Sequence, residues 1–69
     1  MTRHHRKPKS LGGGMDNRNI ALLPNKKHEA WHFLFSNLPP ERIVQLINSQ
    51  FLDPDYQLIL ERKQPFTAH

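Results

Sequence analysis

Two pairs of histidines carry the chemistry in this chain. His4 and His5 are adjacent, in Arg3-His4-His5-Arg6, and His28 and His32 sit four apart, in His28-Glu29-Ala30-Trp31-His32. Neighbours on a strand point to opposite sides, so His4 and His5 do not readily share one ion. Residues four apart on a helix share a face, so His28 and His32 can. The simplest arrangement is a metal held by one histidine of the first pair and both of the second. One imidazole then stands beside the metal without ligating it. An imidazole ordinarily titrates near neutrality, which makes such a group a candidate general base.

These pairs must be positioned by short elements. The spacing allows a strand over Thr2 to Lys7, although its composition is polar. Pro8 to Gly14 reads as a loop, with Gly12, Gly13 and Gly14 permitting positive φ and close backbone approach. Asp16-Asn17-Arg18-Asn19 reads as a turn, and the apolar run Ile20-Ala21-Leu22-Leu23 as a second strand. Pro24-Asn25 ends that strand and opens a helix from about Lys26 to Asn37. Trp31, Leu34, Phe35 and Leu38 recur at helical spacing and form its expected core stripe, with His28 and His32 on one flank. Trp31 reads as a core anchor rather than a base-stacking residue.

Pro39-Pro40-Glu41 breaks this helix and starts another, because proline at the first helical position and glutamate just after it favour an N-terminus. Ile43, Val44, Leu46, Ile47 and Phe51 make it amphipathic through about Gln50. Asp53-Pro54-Asp55 looks like a further cap. Tyr56 to Arg62 is then one or two helical turns or a short strand, since Leu58-Ile59-Leu60 is too short for periodicity to decide. Lys63 to His69 is expected to fray.

The bulk properties agree with a small metal-stapled domain. A chain of 69 residues buries only a modest core and commonly needs a staple. No cysteine is present, so a disulfide is excluded and a metal becomes the natural stabiliser. No apolar run approaches transmembrane length, and no signal-peptide core is visible, so the sequence reads as a soluble cytoplasmic protein with no membrane partner. Residues 1–27 hold seven cations against Asp16 alone, a charge of +6, whereas residues 28–69 hold three against five carboxylates, −2. A positive surface beside a metal suits a phosphodiester substrate.

In order, the residues are His4-His5, then Lys7-Pro8-Lys9-Ser10-Leu11-Gly12-Gly13, then Asn17-Arg18-Asn19-Ile20, then Pro24-Asn25-Lys26-Lys27-His28 and His32. This series resembles the HNH family of nucleases with the ββα-metal (His-Me finger) fold. The variant it is most similar to is the nuclease domain of DNase colicins and pyocins. Those carry an adjacent His-His, a Lys-Pro-x-Ser-x-Gly-Gly loop, an Asn-Ile and a closing His-x-x-x-His. The resemblance covers residues 3 to 32; residues 38–69 show none. Only Met1, Thr2 and Arg3 precede His4, where colicin nucleases place an arginine–glutamate pair and a long DNA-binding lobe. The sequence is therefore read either as a minimal module or as one whose start lies upstream.

The resemblance implies roles. His4, His28 and His32 would be metal ligands, His4 in the position that other HNH proteins fill with aspartate. His5 would be the general base, and Asn19 the central asparagine that braces the loop orienting it. Gly12 and Gly13 would let the loop turn tightly. Arg3, Arg6, Lys7 and Lys9 have no family assignment and are expected to contact phosphates on charge alone. Three neutral imidazoles suit Zn2+, Ni2+ or cobalt better than Mg2+, but the family often works with Mg2+, so the divalent ion stays open among them.

The expected fold is therefore small α+β: a ββα-metal core over residues 1–37, a helical extension over 38–62 packed on Trp31, Leu34 and Phe35, and a tail over 63–69. The expected function is metal-dependent endonucleolytic hydrolysis of DNA, in a protein from a phage or other mobile element. The alternative is a non-catalytic, zinc-stapled module that binds nucleic acid, or a protein partner through residues 38–62. A fragment of a bacteriocin toxin is disfavoured, because helix signals continue after His32 whereas the colicin motif sits near the chain end.

Overall fold

A computed structural model describes residues 1–63 of the chain, so the expected tail from Gln64 onward lies outside the described residues. The protein is a small α+β fold. Strand β1 is Thr2–His5 and strand β2 is Ile20–Leu23. They pair antiparallel, with Thr2 opposite Leu23, Arg3 opposite Leu22, His4 opposite Ala21 and His5 opposite Ile20. Helix α1 is Asn25–Phe35 and packs on β1; helix α2 is Pro40–Leu46. The chain divides into two compact units, Met1–Pro39 and a second that begins at Pro40.

In the first unit the loop between the strands begins with a 3-10 turn over Lys9–Leu11, closed by Gly12 N–H donating to the Lys9 carbonyl at 2.9 Å. Gly12 has φ +91, a left-handed conformation that favours glycine. Gly13 is required for a different reason. A Cβ there would run into the Lys7 carbonyl oxygen and lie 2.9 Å from Asn19 Nδ2. The turn expected at residues 16–19 is present, with Asn19 N–H and Ile20 N–H both donating to the Asp16 carbonyl, at 2.9 and 3.1 Å.

Helix α1 starts one residue earlier than expected, from Pro24 at its cap with φ −54 and ψ 144, and ends two residues sooner. Ser36 terminates it by adopting φ 50, while its N–H still reaches the His32 carbonyl at 2.9 Å. The stripe that faces the sheet is His28, Trp31, His32 and Phe35, at the i, i+3, i+4 and i+7 positions of one helix face. Phe35 is buried and Trp31 half-buried, their rings 4.7 Å apart, and Leu38 is half-buried. Leu34 departs from the expected core stripe and is exposed. A two-stranded sheet four residues long covers only a narrow strip of the helix, and Leu34, about 60° round the axis from Trp31, falls outside it.

In the second unit, α2 begins at Pro40 with Glu41 in its first turn and runs into a π-helical turn over Ile47–Phe51. Leu52 N–H closes that turn on the Ile47 carbonyl at 2.8 Å. Asp53-Pro54-Asp55 does not cap a helix. Asp53 Oδ1 accepts the Asp55 N–H at 2.9 Å and its carbonyl accepts the Tyr56 N–H at 2.9 Å, so it makes a side-chain-closed turn. Residues 56–62 are neither helix nor strand. Leu58 is held instead by Asn48, whose Oδ1 accepts the Leu58 N–H at 2.8 Å and whose Nδ2 donates to the Leu58 carbonyl at 3.0 Å. One side chain there does what a neighbouring strand would do.

Candidate metal centre

Because β1 alternates its faces, Thr2 and His4 lie on one side and Arg3 and His5 on the other. The Thr2/His4 side faces α1. His4 is 7% exposed and stands edge-on to three helix side chains, with ring centroids 5.2 Å from His28, 5.5 Å from Trp31 and 6.1 Å from His32. One ring nitrogen from each of His4, His28 and His32 lies within 4.8 Å of the others. The cluster is graded in access, with His4 buried, His28 half-buried and His32 exposed.

The residues fit a divalent cation. His4 Nδ1 is buried with no hydrogen-bond partner among the described residues, an uncommon and costly state for a polar atom. Burial first, and then the neighbouring His28, His32, His5 and Arg6, hold the His4 imidazole below its ordinary pKa and so in the neutral, ligating form. His28 Nε2 and His32 Nε2 converge to 2.9 Å. The other nitrogen of His28, Nδ1, lies 2.6 Å from the Thr2 hydroxyl, which in turn reaches the Leu23 carbonyl at 3.5 Å. The short contact to Thr2 occupies Nδ1 of His28 and turns Nε2 toward His32. Such a partner behind a ligating histidine orients the ring and fixes its tautomer.

His5 is not in the cluster. It lines a groove of about 390 Å³ together with Arg3, Lys9, Ser10, His28 and His32. Its Nε2 is covered and has no hydrogen-bond partner among the described residues. The backbone just beyond His5 is tightly held. Arg6 N–H donates to the Asn19 carbonyl at 2.7 Å, and Lys7 N–H donates to Asn19 Oδ1 at 2.7 Å. Asn19 Nδ2 donates to the Lys7 carbonyl at 3.1 Å and the Gly14 carbonyl at 2.8 Å. The Asn19 amide thus extends the ladder past the end of β1 and ties it to the glycine loop.

The four expected phosphate contacts divide. Arg3 and Lys9 line the histidine groove, whereas Arg6 and Lys7 line a separate cleft with Arg18 on the glycine-loop side. Two participants escape sequence reasoning, Thr2 and Arg18. Thr2 has a usable signal, since a residue two before His4 on a strand shares its face. No helix among the described residues is long and apolar enough to cross a membrane. Comparison with protein-family models, curated proteins and solved structures finds no match to this chain.

Proposed function

We propose that residues 1–37 are a metal-dependent HNH-type (His-Me finger) endonuclease module that hydrolyses DNA phosphodiester bonds. The observation that carries this reading is His5. It stands beside a three-imidazole cluster without belonging to it, and shares one groove with two of those imidazoles and with the cations Arg3 and Lys9.

His4, His28 and His32 would hold the divalent ion, Zn2+, Ni2+ or Mg2+. When bound, the ion supplies Lewis-acid stabilisation of the charge that develops on phosphoryl oxygens. The chain's own residues do the rest. Arg3 and Lys9 hold the phosphate in the groove by charge. His5 accepts a proton from a water molecule whose oxygen attacks phosphorus as the bond to the 3′ oxygen breaks. Asn19 keeps the backbone after His5 fixed, bracing the segment that carries the base.

A second reading has its own support. Only Phe35 and His4 are buried among the described residues, so a metal that serves as a structural staple would contribute much of the stability. In that case the module binds nucleic acid, or a protein through residues 38–62, and does not cut. Nicking of supercoiled plasmid separates the readings. Nicking that requires added Mg2+, Mn2+, Ni2+ or Zn2+ and stops with a chelator supports the nuclease. Metal retention and DNA binding without nicking under any of these ions supports the staple.

A further inference from the structure

The cleft on the glycine-loop side is a second binding feature, separate from the histidine groove. It has a volume of about 480 Å³ and is lined by Arg6, Lys7, Arg18, Asn19, Asp16 and the three loop glycines. Three cations face one carboxylate there. Arg6 is held in place, its Nη1 donating to the Arg18 carbonyl at 3.2 Å. Asn19 spends both of its amide ends on Lys7 and Gly14, so it shapes the wall rather than offering itself to a ligand. Gly12, Gly13 and Gly14 leave that wall without side chains, so a ligand can approach backbone. The short segment from Arg6 to Ser10 forms the rim between the two clefts, with Arg6 and Lys7 on one side and Pro8, Lys9 and Ser10 on the other. Lys7 and Lys9 are two residues apart, within about 7 Å of chain, so one strand can reach both sides.

We propose that the Arg6–Lys7–Arg18 cleft is an oxyanion site that takes a non-scissile phosphate of the same nucleic-acid strand, setting its register across the rim into the histidine groove. The identity of the ligand as a nucleic-acid backbone rests on the nuclease reading; the oxyanion site itself does not. The cleft's volume of about 480 Å³ exceeds that of one phosphate, and its glycine wall leaves room for the adjoining sugar. Arginine supplies the planar donor pairs that phosphate oxygens accept.

The test uses the full chain and two probes, inorganic phosphate and a short single-stranded oligonucleotide, followed by amide NMR shifts and by binding as a function of salt. Arg18→Ala is the informative variant, since it removes the guanidinium but keeps the carbonyl that Arg6 uses. Lys27→Ala is the charge-matched comparison, because Lys27 is exposed and lines neither cleft. Phosphate should shift the amides of Gly12 to Gly14 in the wild type and not in Arg18→Ala. Oligonucleotide binding should weaken about tenfold in Arg18→Ala, well beyond the loss in Lys27→Ala, with the salt slope reduced by about one. Equal losses in the two variants, or phosphate shifts confined to the histidine groove, overturn the site. Loop shifts lost in Arg18→Ala support the site even if the wild type nicks no plasmid, whereas nicking without loop shifts removes the site and leaves the nuclease.

Discussion

The Thr2 hydroxyl and His28 Nδ1 stand 2.6 Å apart, joining the first strand to the helix behind the histidine cluster. This contact orients the His28 ring, with Nδ1 on the hydroxyl and Nε2 turned toward His32. Thr2→Val keeps the shape and deletes the hydroxyl, and partners of this kind are typically worth 10–100-fold in metal affinity. Zinc titration of Thr2→Val should therefore show a loss in roughly that range, and Thr2→Ser should recover most of it. Unchanged zinc affinity in Thr2→Val would show that the hydroxyl does not set the ring.

Gly13 has no room for a side chain beside the Lys7 carbonyl and Asn19 Nδ2. Gly13→Ala must push the loop away from the end of β1, at a cost on the order of 2–3 kcal/mol or more. Chemical denaturation should show this loss, while Gly14→Ala, whose added Cβ would lie 3.3 Å from the Asp16 carboxylate, should cost clearly less.

Asn19→Ala breaks three hydrogen bonds that hold the Lys7 backbone and Gly14. Stability should fall by about 1–3 kcal/mol and nicking should fall with it. Zinc affinity should stay within a few-fold of wild type, because the three ligands sit on β1 and α1. Loss of zinc in Asn19→Ala would mean that the loop, and not the strand–helix contact, builds the cluster.

Metal-free protein should lose stability as pH falls. Burial of His4, then its neighbours His28, His32, His5 and Arg6, keep its folded-state pKa below the ordinary 6.5, so the unfolded chain takes up that proton first. Stability is therefore full above about 6.5 and declines as pH drops from there toward the lowered folded-state value. Thermal melts in chelator between about pH 8 and about pH 5 should show this fall. His4→Gln should flatten it. A wild-type melting temperature that rises on acidification would contradict the buried, neutral His4.

Much of the site was legible because it is local. The i, i+4 spacing of His28 and His32 needs only a helix, and the alternation of His4 and His5 needs only a strand; both elements are present. Asn19 follows from the family resemblance alone, and its bonds to Lys7 and Gly14 give it a bracing geometry. What failed depended on how much cover the other elements provide. Leu34 sits on an apolar stripe in the sequence, yet a two-stranded sheet is too narrow to cover it. Asp53-Pro54-Asp55 carries a good cap pattern, but residues 56–62 form no helix for it to cap, and Asn48 claims Leu58 instead. Ser36 adopts a positive φ that nothing in its residue type announces. The division of the cations between two clefts follows from the path of residues 6–10, which no spacing rule supplies.

The central claim is that His5 acts on the substrate while His4, His28 and His32 hold the metal. The most direct measurement is the plasmid-nicking rate of His5→Ala relative to wild type, at matched and verified metal occupancy. Metal content should be unchanged, DNA binding retained and the rate lower by about 10²–10⁴, the usual share of a general base. A His5→Ala protein that loses its metal, or that holds metal and nicks at the wild-type rate, would contradict it.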